Sequence, residues 1–423
     1  MASLHMLTNT LKFHEFSQKA AFVCALTFAF FIPFGPALTN LFLFFTLIFI
    51  LLSGGLRSHI QNIWSNEVSK IAILLFMLLA ISITWSIAET NDAFRVLKKY
   101  LPLLYIPMLM PIFNTEARKK IGVNIFLISV TTILFIIYLM KFDIIPELDI
   151  PILGRHRSLS ITIDGGFQTH IITNILMSFS AYLYLIRARI RSGRKSLINA
   201  ILFILTAYYV IFISTGTTGQ VLLIALITLF LFQILNKKWI VIFMLLASML
   251  VLISISNIDK ISKVHPNIEK TVNKFVDRYH KLYQEPSAEN VSHRPQRYIN
   301  SIKMIASDPW FGSGTGSYAT AYKEKLPEIE KITTGTKWNP HNEYLSIGVQ
   351  VGVAGIFLLL FLFFNQLKAA GQITTSEDRY IAQGFVTLII IGCTANSMIM
   401  DSGESHFFAY FSALLFSKIK LDE

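Results

Sequence analysis

Residues 338–365 read Trp-Asn-Pro-His-Asn-Glu-Tyr-Leu-Ser-Ile-Gly-Val-Gln-Val-Gly-Val-Ala-Gly-Ile-Phe-Leu-Leu-Leu-Phe-Leu-Phe-Phe-Asn, and after Glu343 no charged side chain occurs before Lys368. About 20 such residues cross about 30 Å of hydrocarbon as a helix. A membrane barrel strand would instead alternate apolar and polar residues over roughly ten positions. The stretch therefore predicts a transmembrane helix entered through a polar Asn-Pro-His-Asn step. Comparable runs recur along the chain and carry most of its 35 Phe. The chain is 53% hydrophobic and 15% charged, against roughly one-quarter charged in a soluble domain. A soluble enzyme, a secreted protein and a porin are excluded, and the fold class predicted is an all-α integral membrane protein.

Spans are predicted near 17–36, 38–55, 70–87, 98–113, 121–141, 167–186, 197–214, 219–236, 239–256, 343–365, 380–400 and 405–418, about twelve transmembrane helices. The first run lacks a small-residue cleavage pattern and is followed at once by further runs, so it reads as an uncleaved span. With a cytoplasmic N-terminus, the even-numbered spans deliver Arg57, Arg118-Lys119-Lys120, the Arg187–Lys195 cluster, Lys237-Lys238 and Lys368 to the cytoplasm. This obeys the positive-inside rule, and it explains the excess of 37 Lys and Arg over 25 Asp and Glu without nucleic acid. Lys418 and Lys420 put the C-terminus on the same side. Cys24 and Cys393 lie inside apolar runs and offer neither a disulfide framework nor a metal site.

The expected organisation is 1–257 for helices 1–9, 258–342 for a large, partly helical periplasmic loop, and 343–423 for helices 10–12. A loop that long is expected to fold and to carry function. Within it Ser292 can cap a helix whose Tyr298, Ile302 and Ile305 recur at helical spacing, ending at Asp308-Pro309 before the Gly312-Ser-Gly314-Thr-Gly316 turn. Against the charge trend, Arg95, Lys98, Lys99, Arg155, His156 and Arg157 fall on the outer side. Singly, such residues snorkel to headgroups; together they suit an anion such as a diphosphate. His341 stands where water meets lipid, either as an interfacial hydrogen-bonding group or as a general base able to accept a proton near neutral pH. Asp401, Glu404 and His406 read as an exposed acidic turn or as groups facing the same site.

At these residues the chain resembles the bacterial O-antigen ligases of lipopolysaccharide assembly. His341 followed by Gly352, and the wording HNEYL with GVAG downstream, are similar to that family's histidine motif. Arg294 with Arg297-Tyr298, followed by Asp308-Pro-Trp-Phe-Gly312-Ser-Gly314, resembles its arginine motif and glycine turn. The resemblance implies a GT-C-type glycosyltransferase fold in the bacterial inner membrane, with no cofactor and no metal. Its implied partners are an undecaprenyl-diphosphate-linked donor and a lipid A-core acceptor. His341 would deprotonate or orient the acceptor hydroxyl and Arg294 would bind the diphosphate, with inversion at the anomeric carbon. Arg297, Tyr298 and Asn342 would line the substrates. The chain departs from the family where a second arginine is usual at the turn before the eighth span. It reads Ser214-Thr-Gly216-Thr217-Thr218-Gly219. Lys98, Lys99, Arg155, Arg157 or Arg297 could supply that charge, and Thr217 and Thr218 retain neutral hydroxyl donors.

Three rivals remain. An O-antigen polymerase and a protein O-oligosaccharyltransferase share the fold and the histidine loop. The single dominant late loop and the lack of an added C-terminal domain favour the ligase. A transporter would show ionisable residues at mid-membrane and two similar halves, whereas here the charges gather at one surface.

Overall fold

The computed structural model describes residues 2–54, 56–151, 158–235, 294–326 and 339–418. The span predicted at 239–256, Arg155, Arg157, the Lys237-Lys238 pair, His265, His280 and His293 lie outside the described residues. What is described is almost entirely helical: α1 (Ala2–Phe31), α2 (Pro36–Leu52), α3 (Leu56–Ser65), α4 (Glu67–Ile81), α5 (Thr90–Lys99), α6 (Pro102–Leu109), α7 (Glu116–Lys141), α8 (His170–Ile190), α9 (Gly193–Tyr208), α10 (Thr217–Ile234), α11 (Arg294–Ser307), α12 (Tyr318–Lys325), α13 (Glu343–Gln372), α14 (Ser376–Gly392) and α15 (Ser402–Phe416). One antiparallel hairpin, β1 (Leu148–Pro151) with β2 (Ser158–Ile161), precedes α8 and pairs Leu148 with Ile161.

Among the described residues seven helical segments are long and apolar enough to cross a membrane: Glu67–Trp85, Thr90–Phe113, Glu116–Lys141, His170–Ile190, Gly193–Ile213, Thr217–Ile234 and Glu343–Gln372. The apolar faces of α9 and α10 carry exposed side chains, among them Ile201, Ile204, Val221 and Ile224. Hydrocarbon rather than water suits such a surface.

The centre of the bundle is α15. From Glu404 to Phe416 every side chain on it is buried, because a helix apolar on all faces has to be enclosed on all faces. Phe411 lies edge-on to Phe126 of α7 and Phe179 of α8, with ring centroids 4.8 and 4.9 Å apart, and nearly parallel to Phe385 of α14 at 5.7 Å. The short α15 is thus wrapped by longer helices rather than by lipid.

Two predicted spans are broken. The one read at 98–113 is interrupted between α5 and α6, since Pro102 has no N–H to continue the ladder and suits a first turn. The one beginning at Glu343 departs from helical geometry at Val351 (φ −132°, ψ 18°) and Gly352 (φ 64°, ψ −161°), leaving a two-turn half-helix before the longer segment. The span read at 380–400 is also shorter than expected: α14 stops at Gly392, and Cys393–Met400 forms turns. Thr394 Oγ1 donates to Ile391 O at 2.7 Å and Ser397 Oγ to Asn339 Oδ1 at 3.3 Å, side-chain bonds that favour turns over helix.

Candidate functional site

The break in α13 is filled by another piece of chain. α11 ends at Ser307, and Pro309–Gly314 then inserts its backbone against the gap. Val353 N donates to Pro309 O at 2.7 Å, Ala354 N to Trp310 O at 3.3 Å, Ser313 N to Val349 O at 2.9 Å and Gly314 N to Gln350 O at 2.8 Å. The inserted segment thus satisfies the backbone groups freed by the break. Its other side is held by the turn after α4, where Thr315 N donates to Ser82 Oγ at 3.0 Å and Ser86 Oγ to Thr315 O at 2.8 Å. A Cβ on Gly352 would strike the backbone of Trp310 and Phe311, so glycine is required by space as well as by φ.

This insertion seats α11 beside the half-helix. The stripe predicted on α11 is partly wrong. Ile302 is 57% exposed, whereas Asn300, Ser301 and Met304 are the buried row. The polar members are tolerated because α12 supplies partners. Ser301 Oγ lies 2.8 Å from Tyr318 Oη, and Asn300 Nδ2 donates to Tyr322 Oη at 2.7 Å. Arg294, Arg297 and Tyr298, at i, i+3 and i+4, consequently share the face toward α13.

Arg294 Nη1 donates to Ala395 O at 3.1 Å, and Arg297 Nη1 to Asn339 O at 3.2 Å. Tyr298 Oη donates to Thr394 O at 2.8 Å and approaches His341 O at 3.4 Å. His341 is not in the first turn of α13 but precedes it, in the left-handed region at φ 52°. Its N–H donates to Asn339 Oδ1 at 2.8 Å. Asn342 is the N-cap: its Oδ1 accepts from Leu345 N at 3.0 Å and its Nδ2 donates to Thr394 O at 3.0 Å. Burial and then the charges of Arg294 and Arg297 push the proton affinity of His341 below its ordinary value. The half-buried imidazole is thereby favoured in its neutral form, and the two guanidinium groups are held by backbone oxygens of Ala395 and Asn339.

The sequence does not single out what anchors this cluster. Glu343 is fully buried, its carboxylate accepting from Tyr100 Oη at 3.1 Å and Ile399 N at 3.0 Å, while its own N–H donates to Cys393 O at 2.8 Å. The Cys393–Met400 turns thereby touch Arg294, Tyr298, Asn342 and Glu343 together. A charge opening an apolar run was the available signal for Glu343. For the turns there was only the polar cluster Thr394–Ser397 in a predicted span.

The remaining predicted residues are more dispersed. Lys98 and Lys99 end α5, and the ammonium of Lys99 opposes the upward push of burial on the Asp401 carboxyl, which places it beside the same turns. The expectation of an exposed acidic turn fails, for Glu404 and His406 are buried, with the His406 ring against Phe28 and Tyr105. Thr217 and Thr218 open α10. Among the described residues no hydrogen bond joins them to the His341 cluster. Their turn is governed by Asp164, which accepts from Thr215 N at 2.8 Å and Thr215 Oγ1 at 3.0 Å, with His170 Nδ1 3.4 Å away. Among the described residues no three His, Cys, Asp or Glu side chains converge as metal ligands. No curated protein matches the chain. Residues 200–360 match the family described as O-antigen ligase, a segment running from within α9 through Arg294, the inserted glycine turn and His341 past the break at Gly352, and with its apolar helices the chain is in this segment similar to that family of multi-pass membrane proteins.

Proposed function

We propose that the protein transfers a glycan from undecaprenyl diphosphate to a sugar hydroxyl of the lipid A core at the periplasmic face of the inner membrane, with both termini in the cytoplasm and 258–342 as the catalytic loop. The carrying observation is the neutral His341 imidazole set among Arg294 and Arg297 where α13 begins. His341 takes the proton of the acceptor hydroxyl as its oxygen bonds to the anomeric carbon. The bond from that carbon to the diphosphate oxygen breaks, and undecaprenyl diphosphate leaves with the electron pair. Arg294 and Arg297 offset the charge that gathers on the leaving phosphate. Attack opposite the leaving group inverts the configuration.

Lys98 and Lys99 take the part of the arginine missing at Thr217 and Thr218, supported by the field of Lys99 at the turns that also bind Arg294. A polymerase would use the same groups on another lipid-linked glycan, so the acceptor separates the two readings. The test is complementation of a ligase-deficient strain that makes O-antigen. The intact chain is expected to restore the lipopolysaccharide ladder, while His341→Ala and Arg294→Ala reach the membrane and do not. An intact, abundant chain that leaves the core bare, or an active His341→Ala, would refute the proposal.

A further inference from the structure

Two separated pieces of chain, α11 and the Cys393–Met400 turns, converge on Asn339, two positions before the histidine. Its Oδ1 accepts the N–H of His341 at 2.8 Å and the hydroxyl of Ser397 at 3.3 Å, and its backbone oxygen accepts Arg297 Nη1 at 3.2 Å. The first of these bonds closes an Asx turn across Pro340, a local device by which asparagine mimics a backbone turn. Pro340 fixes its own φ and restricts Asn339 to extended backbone, so the side chain can reach the amide two residues on. That amide belongs to a histidine held at φ 52°, a conformation a bulky residue keeps only where its surroundings hold it. Asn342 then starts the half-helix, so the imidazole direction depends on the turn rather than on α13.

We propose that Asn339 is the positioning residue that fixes the imidazole of His341 against the arginine helix and the Cys393–Met400 turns. The inference rests on the glycosyl-transfer reading above. Asn339 acts through His341, with Ser397 and Arg297 holding it in place. With the acceptor oxygen gone, His341 can relax toward an ordinary backbone conformation and swing its ring. A displacement of about 1 Å at a reacting group can cost on the order of 10²-fold in rate. Binding of the two lipid-tailed substrates, spread over a large surface, should hardly change.

The experiment uses the purified full chain in lipid nanodiscs with an undecaprenyl-diphosphate-linked glycan and a core lipid. It measures kcat, KM for each substrate, the pH profile and the thermal midpoint. Asn339→Ala is expected to lower kcat by about 10- to 100-fold with each KM within about threefold. Asn339→Asp keeps both acceptor roles and should return kcat to within about fivefold of the intact chain. It also sets a carboxylate on the backbone N–H of His341, whose imidazole otherwise feels the charges of Arg294 and Arg297 while the phenol of Tyr298 meets the backbone oxygen, so it should move the acidic limb of the profile to higher pH. A merely structural role would leave that limb in place. A folded Asn339→Ala with full kcat overturns the proposal. Should Asn339→Ala fail to fold, an Asn339→Asp enzyme with an unmoved acidic limb overturns it instead. If the intact chain transfers glycan and His341→Ala does not, a normal Asn339→Ala defeats this inference alone. An inert intact chain, or an active His341→Ala, removes the transferase reading and this inference with it.

Discussion

Replacing Gly352 by alanine tests whether the break in α13 is what builds the site. At φ 64° and ψ −161° the backbone occupies a region open in practice only to glycine, and forcing an L-residue there costs about 1–3 kcal/mol. The new Cβ would also collide with Trp310 and Phe311, whose nearest atoms are backbone and cannot rotate away. Overpacking of this kind adds about 1–3 kcal/mol. Relief by withdrawing the inserted segment would break Val353 N–Pro309 O and Ala354 N–Trp310 O, at about 0.5–1.5 kcal/mol each. The two unavoidable contributions together give about 2–6 kcal/mol, a large share of the 5–15 kcal/mol that holds a typical domain together. The control is Gly371→Ala, in the same helix, with an ordinary φ and open space at its Cβ. There alanine should be neutral or stabilising by about 0.5–1 kcal/mol, through the gain in helix propensity. Thermal unfolding of both variants in detergent, with glycan transfer measured in parallel, gives the comparison. Gly352→Ala should lose its cooperative transition or unfold many degrees lower and lose transfer, while Gly371→Ala retains both. A Gly352→Ala protein as stable and active as the intact chain would show that the insertion at the break is dispensable.

Four further outcomes follow from the site. The acidic limb of kcat/KM should lie below about pH 6.5, because a histidine with lowered proton affinity stays neutral and able to act as base until the pH falls through its depressed value; Arg297→Gln should shift that limb upward, and an unshifted profile would detach the arginine from the histidine. Glu343→Ala should destabilise by about 2–6 kcal/mol, since it strands the buried Ile399 N–H and Tyr100 hydroxyl at about 1–3 kcal/mol each, whereas Glu343→Gln keeps an acceptor and should be milder; equal midpoints for the two would count against the anchoring role. Arg294→Ala should lower transfer by about 10²–10³-fold if the guanidinium stabilises the departing diphosphate, read from single-turnover rates. Thr217→Ala and Thr218→Ala should each change transfer by no more than about tenfold, because a neutral hydrogen bond contributes about 0.5–1.5 kcal/mol at most; Asp164→Ala, which frees the Thr215 turn, should cost more, and the reverse ranking would return the threonines to the diphosphate.

Much of this protein was legible in its sequence because the governing forces are local or compositional. Uncharged runs must become helices in hydrocarbon, since each backbone group needs a partner within its own segment; outside 239–256 each predicted span overlaps a helix, although only seven segments among the described residues are long and apolar enough to cross a membrane. The glycine turn and His341 could be picked out for the same reason, as proline and glycine advertise turns, whereas Arg294 was singled out by the resemblance to the O-antigen ligases. The pairing of those motifs could not be read. Hydropathy cannot distinguish an unbroken helix from one interrupted at Gly352, because the residues around the break are apolar either way. Nor does it separate α15, enclosed by protein, from a span facing lipid. The same blindness hid Cys393–Met400 inside a predicted helix and made Asp401, Glu404 and His406 look exposed. The sequence thus determined that the chain crosses the membrane many times and where its candidate site residues lie along it. Only the tertiary structure decided that His341 meets Arg294 and Arg297, because that meeting depends on backbone hydrogen bonds between Pro309–Gly314 and a broken α13, contacts in which no side chain records its partner.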